Sequence, residues 1–156
     1  NNRTHYVKVF LDPSFTQFPF DQYLDTETFQ IKLRSLFCET EDLKKLLQYT
    51  SKLTINDSIS VEDDGMTQSA SVKKGMSGAR VENASFPPTV SLEPFRTFRD
   101  VEQVESQFLF RMKPHEGKIP TCALFEADGG AWRTEAVRRI ARFLENNIPS
   151  GIPIIK

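Results

Sequence analysis

Cysteine, histidine and tryptophan are scarce in this chain, with two Cys, two His and one Trp among 156 residues. That scarcity bears directly on chemistry. Structural zinc needs Cys and His ligands in local pairs. Here Cys38, Cys122, His5 and His115 lie dispersed, with no C-x-x-C and no H-x-x-x-H. Two cysteines are too few for a disulfide framework, and reduced buried thiols are the preferred reading over a single Cys38–Cys122 bridge. The chain holds no P-loop, no G-x-G-x-x-G and no G-x-S-x-G, so no nucleotide or serine-hydrolase signature appears and no cofactor is implied. Long apolar runs are missing too. None approaches the roughly 20 residues of a membrane-spanning helix, and the opening NNRTHYVKVF does not read as a signal peptide. Neither sign of charge dominates. Lys plus Arg count 20 against 21 for Asp plus Glu, a net charge of -1, which gives no global attraction to nucleic acid or anionic lipid.

What the chain does have is phenylalanine: thirteen, beside three Tyr. Each aromatic buries on the order of 150–250 Å² when internal, so a chain of this length can build a core without staples. Three glycosylation sequons, Asn2-Arg3-Thr4, Asn56-Asp57-Ser58 and Asn83-Ala84-Ser85, have meaning only in a secreted chain. With the thiols read as reduced, an intracellular location is favoured and secretion is the minority reading.

Residues His5 to Leu11 alternate as a strand and stop at Asp12-Pro13. An aromatic loop from Ser14 to Tyr23 follows. Between Thr28 and Leu36, Phe29, Ile31 and Leu33 alternate with polar residues, which favours a half-buried strand. Phe29, Leu33, Leu36 and Phe37 also fit a helical stripe, so residues 28–37 stay open between strand and helix. Thr40 caps a clearer helix, with Leu43, Leu46 and Leu47 inward and Lys44, Lys45 and Gln48 outward. Thr50-Ser51 weakens it. Leu53, Ile55, Ile59 and Val61 then predict one strand or two short ones.

From Glu62 to Ser85 the patterning disappears, and residues 63–85 read as a flexible insertion inside a single α+β domain spanning 1–156. Order resumes with an edge-type strand from Thr89 to Phe95, in which Pro94 removes a ladder donor. Val104 to Met112 is the strongest strand, with Phe108, Phe110 and Met112 on one face. A turn at Lys113–Lys118 returns Ile119–Glu126 antiparallel to it. Asp128-Gly129-Gly130 leads into a helix of about Ala131–Asn146, with Trp132, Ala136, Val137, Ile140, Phe143 and Leu144 on one side. Ile140 is expected against Phe108 and Phe110. The apolar tail Ile152–Lys156 docks as a short strand or binds a partner. These readings predict α+β architecture, a mostly antiparallel sheet of five or six strands with two or three helices on one face.

Few constellations carry chemistry. His115 and Cys122 are near enough across the hairpin for a nucleophile pair, yet a thiol within strand sequence is far more often buried and inert. Glu62-Asp63-Asp64-Gly65 lacks the regular spacing and closing Glu of a calcium loop. Gly129, Gly130 and Arg133 form a weak anion-binding candidate, because a helix N-terminus exposes N–H groups. Arg133, Arg138, Arg139 and Arg142, with Lys73, Lys74 and Arg80, are a nucleic-acid candidate, although Glu135 and Glu145 can pair with that helix face. The reading preferred from sequence is a non-catalytic protein–protein interaction domain, a scaffold or adaptor. Its partner-binding candidates are Phe15, Phe18, Phe20, Tyr23, Arg138, Arg142, Ile154 and Ile155, with strand addition at the Thr89–Phe95 edge as a further mode. A nucleic-acid module and a small enzyme with an anion pocket at residues 128–133 are the alternatives.

Overall fold

The computed structural model describes residues 10, 17–54, 58–63, 68–73, 81–115 and 118–154. Residues 5–9 and 11, most of the first expected strand, lie outside them, as do Phe15 and Ile155.

A two-residue strand, β1 (Leu24–Asp25), runs directly into helix α1 (Thr26–Leu36). The Asp25 carboxylate accepts the Thr28 N–H at 2.9 Å and caps the helix. The open question over residues 28–37 is thereby settled as helix. Phe29 and Leu33, one turn apart, are fully buried while Ile31 is 60 % exposed. The alternation that favoured a strand came from Ile31, a lone apolar residue on the solvent side. Thr40 then caps α2 (Glu41–Thr54), its hydroxyl accepting the Leu43 N–H. Leu43 and Leu46 face inward as the pattern requires. Thr50 and Ser51 do not end this helix. Their hydroxyls donate to the carbonyls of Leu46 and Leu47 one turn back, so the polar groups are satisfied within the helix.

Segments around Glu62 depart from the expectation of an unpatterned insertion. In their described parts, β2 (Ser58–Asp63), β3 (Gln68–Lys73) and β4 (Val81–Phe86) pair as an antiparallel three-stranded sheet, Ser60 opposite Ser71 and Ala70 opposite Ala84. Ladder hydrogen bonds use the backbone and need no apolar alternation. A reading based on large side chains therefore misses them.

The main sheet has four antiparallel strands in the order β1-β7-β6-β5, from β5 (Thr89–Leu92), β6 (Ser106–His115) and β7 (Lys118–Glu126). Phe110 lies opposite Leu124 and Met112 opposite Cys122, so these share one face with Phe108. That face is buried beneath α1, α2 and Phe86. The architecture is α+β, with α1 and α2 over a four-stranded antiparallel sheet, a third helix outside that layer, and the three-stranded meander as a second sheet.

The third helix, α3 (Trp132–Asn147), departs from its expected place. Its buried residues are two alanines, Ala136 and Ala141. Trp132, Ile140 and Leu144 are half-buried, and Val137 and Phe143 are 46 % and 37 % exposed. Phe108 and Phe110 meet other aromatics instead: Phe20 and Phe37 on the former, Phe29, Tyr49 and Phe86 on the latter. Phe110→Ala is therefore expected to lose about 3–5 kcal/mol of stability, and Ile140→Ala only about 1 kcal/mol. Urea denaturation of both variants checks this, and equal losses would move α3 into the main core.

Candidate functional site

An arginine organises the end of the core from which α3 departs. Arg96 lies in the irregular 95–105 segment after β5 and is only 4 % exposed. Its guanidinium carbon stands 4.9 Å from the Phe20 ring centre, 5.2 Å from Phe108 and 4.5 Å from Trp132. Its polar edge donates to Glu126 at 2.6 Å and to the Ser106 hydroxyl at 3.2 Å. Arg suits such a site because its flat, weakly hydrated face stacks on rings while its edge makes directed bonds. Burial draws its pKa below the ordinary arginine value, against the opposing charges of Glu126 and Asp128.

Gln103 holds this segment in shape. Its buried side-chain oxygen accepts from the N–H groups of Arg96 and Thr97 and from the Thr97 hydroxyl. Its amide nitrogen donates to the carbonyls of Phe98 and Val101, both at 2.9 Å. Its own carbonyl accepts from Arg139 of α3 at 2.7 Å. Arg139 also bonds Glu135 at 3.0 Å and approaches Glu102 at 3.6 Å. The helix is thus fixed to the body by Trp132 and Arg139. No other described helix or strand packs closely along it.

The turn before α3 does not present the free N–H groups that its glycines promised. Gly129 and Gly130 adopt φ of 62° and 80°, and the Gly130 N–H donates to the Asp128 carboxylate at 2.9 Å. The turn's own acid occupies the position of an external anion. Arg133 lies over the outer part of Trp132, 5.4 Å from the ring centre. A side chain at 130 would meet only the mobile end of Arg133, at 2.9 Å, so the positive φ is what calls for glycine there. Burial pushes the Asp128 pKa up. Hydrogen bonds from Ser106 and the Gly130 N–H, the Arg96 charge and the Trp132 N–H outweigh it and hold the carboxyl below its ordinary value. Beside this turn is a shallow cleft of about 280 Å³ lined by Ser106, Gln107, Asp128, Trp132 and Glu135 among others.

The expected partner-binding residues separate into core and surface. Phe18 is buried among Phe20, Phe29 and Phe37. Phe20 stacks on Phe108 with planes 9° apart. Both belong to the interior, because the aromatic loop closes the core rather than facing outward. Tyr23 is exposed, edge-on to Phe125. Arg138 is exposed with a 3.6 Å approach to Glu135, and Arg142 is exposed with no ion pair among the described residues. Ile154 is half-buried in a tail without strand structure, and Ile152 is exposed. Lys74 and Arg80, part of the nucleic-acid candidate, lie outside the described residues. Arg96 and Gln103 had no signal in the sequence, since both are ordinarily surface residue types.

Both edges of the main sheet are closed, which corrects the strand-addition mode proposed for Thr89–Phe95. On the β5 side, Ser91 N–H donates to Asp42, Cys38 N–H to the Glu93 carbonyl and Phe95 N–H to the Leu36 carbonyl. Phe37 bridges Pro94. On the β7 side, the Thr26 hydroxyl donates to the Pro120 carbonyl and Asp21 N–H to the Leu124 carbonyl, with β1 between them. Cys122 is equally inaccessible: burial raises its thiol pKa to about 12, against a hydrogen bond with Thr26. It lies opposite Met112, while His115 contacts Thr121 at the exposed end of the hairpin. Both cysteines are free thiols. Among the described residues no cluster of three His, Cys, Asp or Glu is placed to hold a metal, and no helix is long and apolar enough to cross a membrane.

Comparison with protein-family models, with curated proteins and with solved structures finds no match for this chain.

Two measurements follow from the arginine site. Arg96→Met leaves Glu126 without its partner and is expected to cost about 3 kcal/mol, part of which Glu126→Gln restores in the double variant. Additive losses in urea would show that the pair is uncoupled. Asp128 has a depressed folded-state pKa, so its contribution is present above the unfolded carboxyl value and lost as pH falls through the folded one. Asp128→Asn is therefore expected to be less stable than the wild type at pH 6, with the gap closing below about pH 4. A gap that stays constant with pH would refute this.

Proposed function

We propose that this chain is a non-catalytic protein–protein interaction domain, a scaffold or adaptor element, and that α3 with the tail behind it is its binding face. The observation that carries this reading is the exposure of Val137, Phe143 and Ile152 on one helix and its continuation. The edges of the main sheet are covered and the aromatic loop is interior, while the other exposed large apolar residues, Phe10, Tyr23, Ile31 and Ile119, lie on separate parts of the chain. A regular helix pinned at its N-terminal half is a suitable platform, because its exposed residues need little ordering on binding. The reading as a small enzyme is weakened by the self-filled turn at Asp128 and the buried Cys122 thiol.

A photo-crosslinking residue placed at 137 or 143 is expected to trap a protein partner from cell extract, whereas one at Lys45 on α2 does not. Phe143→Asp is expected to abolish capture with little change in melting temperature, since surface substitutions usually alter stability by less than about 0.5 kcal/mol. Equal trapping from 45 and 143, or capture indifferent to Phe143→Asp, would end the proposal.

A further inference from the structure

We infer that α3 is a latch: it opens from the body as one unit about the Gly129–Gly130 turn, while the core beneath α1 and α2 stays folded, and uncovers the Trp132 side of Arg96. Its attachments are few. The buried residues of the helix are Ala136 and Ala141, with little apolar surface to lose, and Trp132, Ile140 and Leu144 are only half-buried. Among the described residues its ties to the body run through Trp132 on the Arg96 guanidinium and Arg139 on the Gln103 carbonyl and Glu102. The 95–105 segment that receives them is shaped by other bonds. The Gln103 side chain bonds Arg96, Thr97, Phe98 and Val101 of that same segment, and the Leu36 carbonyl of α1 holds the Phe95 N–H.

Opening strands no charge. Arg96 keeps Glu126, Ser106, Phe20 and Phe108 and meets water where Trp132 stood. Arg139 takes its Glu135 partner with it on the same helix. Trp132 gains outright. Its indole N–H is buried with no hydrogen-bond partner among the described residues, a cost that lasts until water reaches it. The hinge is in place as well. Asp128 is held to β6 by Ser106, and the next two residues are glycines at φ of 62° and 80°, whose backbones rotate most freely. The closed helix still presents the binding face proposed above, and that reading stands or falls separately.

Native-state hydrogen exchange of the full chain, followed by NMR, tests the latch. The amides from Val137 to Asn146 and the indole N–H of Trp132, the chain's one tryptophan, are expected to share a single opening equilibrium. That opening should be at least about a hundredfold more populated than the one exposing Phe110 and Leu124 of β6 and β7, and less sensitive to low urea, because it exposes less surface. Phe110→Leu is expected to speed exchange at Leu124 about tenfold and to leave the α3 opening unchanged, since the closed and open states share that core. Arg139→Gln, which removes a tie present only in the closed state, is expected to raise the α3 opening about tenfold. Protection that falls steadily toward Asn147, with the indole as slow as the core, would be end fraying and would overturn the inference. So would α3 exchange that follows Phe110→Leu, or that ignores Arg139→Gln.

Discussion

The fold depends on taking one guanidinium out of water. Removing an arginine from solvent costs several kcal/mol unless its edge is bonded and its faces covered. Arg96 meets that condition with groups drawn from distant parts of the chain: Phe20 from the aromatic loop, Ser106, Phe108 and Glu126 from β6 and β7, and Trp132 from α3. None of these alone would keep a charged group buried. Each must be in place for the others to be worth making, so the site couples the aromatic loop, the β6–β7 hairpin and α3.

That coupling explains the division between a dense core and a lightly held helix. The face beneath α1 and α2 is an aromatic lattice in which Phe18, Phe20, Phe29, Phe37, Phe108 and Phe110 meet edge-on, tilted or stacked. Such contacts contribute about 0.5–1.5 kcal/mol each beyond area burial, and here they use half of the chain's described phenylalanines. Little large apolar surface from α3 takes part. Polar and cation–π contacts, at Trp132 and Arg139, hold that helix instead.

Sequence reasoning went furthest where one period governed both local shape and burial. The inward face of β6 through Phe108, Phe110 and Met112, the antiparallel return of β7, the Thr40 cap and the limits of α3 all read correctly, because each depends on neighbours in the chain. It went less far where a residue's role came from distant partners. Ile31 imitated a strand, since alternation cannot say which apolar residue lies outside. Phe18 and Phe20 resembled a surface loop, since flanking prolines and polar residues hide a long-range contact. Arg96 and Gln103 gave no signal at all. The stripe of α3 was visible, but its covering was not, because periodicity reports that a face is apolar and says nothing of what lies against it.

The manner of α3's attachment has a consequence for recognition. Trp132 and Arg139 set the axis of the helix, while Arg142 and Phe143 lie one turn beyond the last contact with the 95–105 segment. Under the proposed function, a partner meeting that turn would find a backbone already helical and hydrogen-bonded, so its affinity would not be spent on folding the site. The tail from Ile148 to Ile154 differs, since it has no regular structure and must be ordered to contribute. Under the same proposal, specificity would reside in the helix, whose axis is set at Trp132 by the buried arginine about three turns before Phe143, and the tail would add contact area.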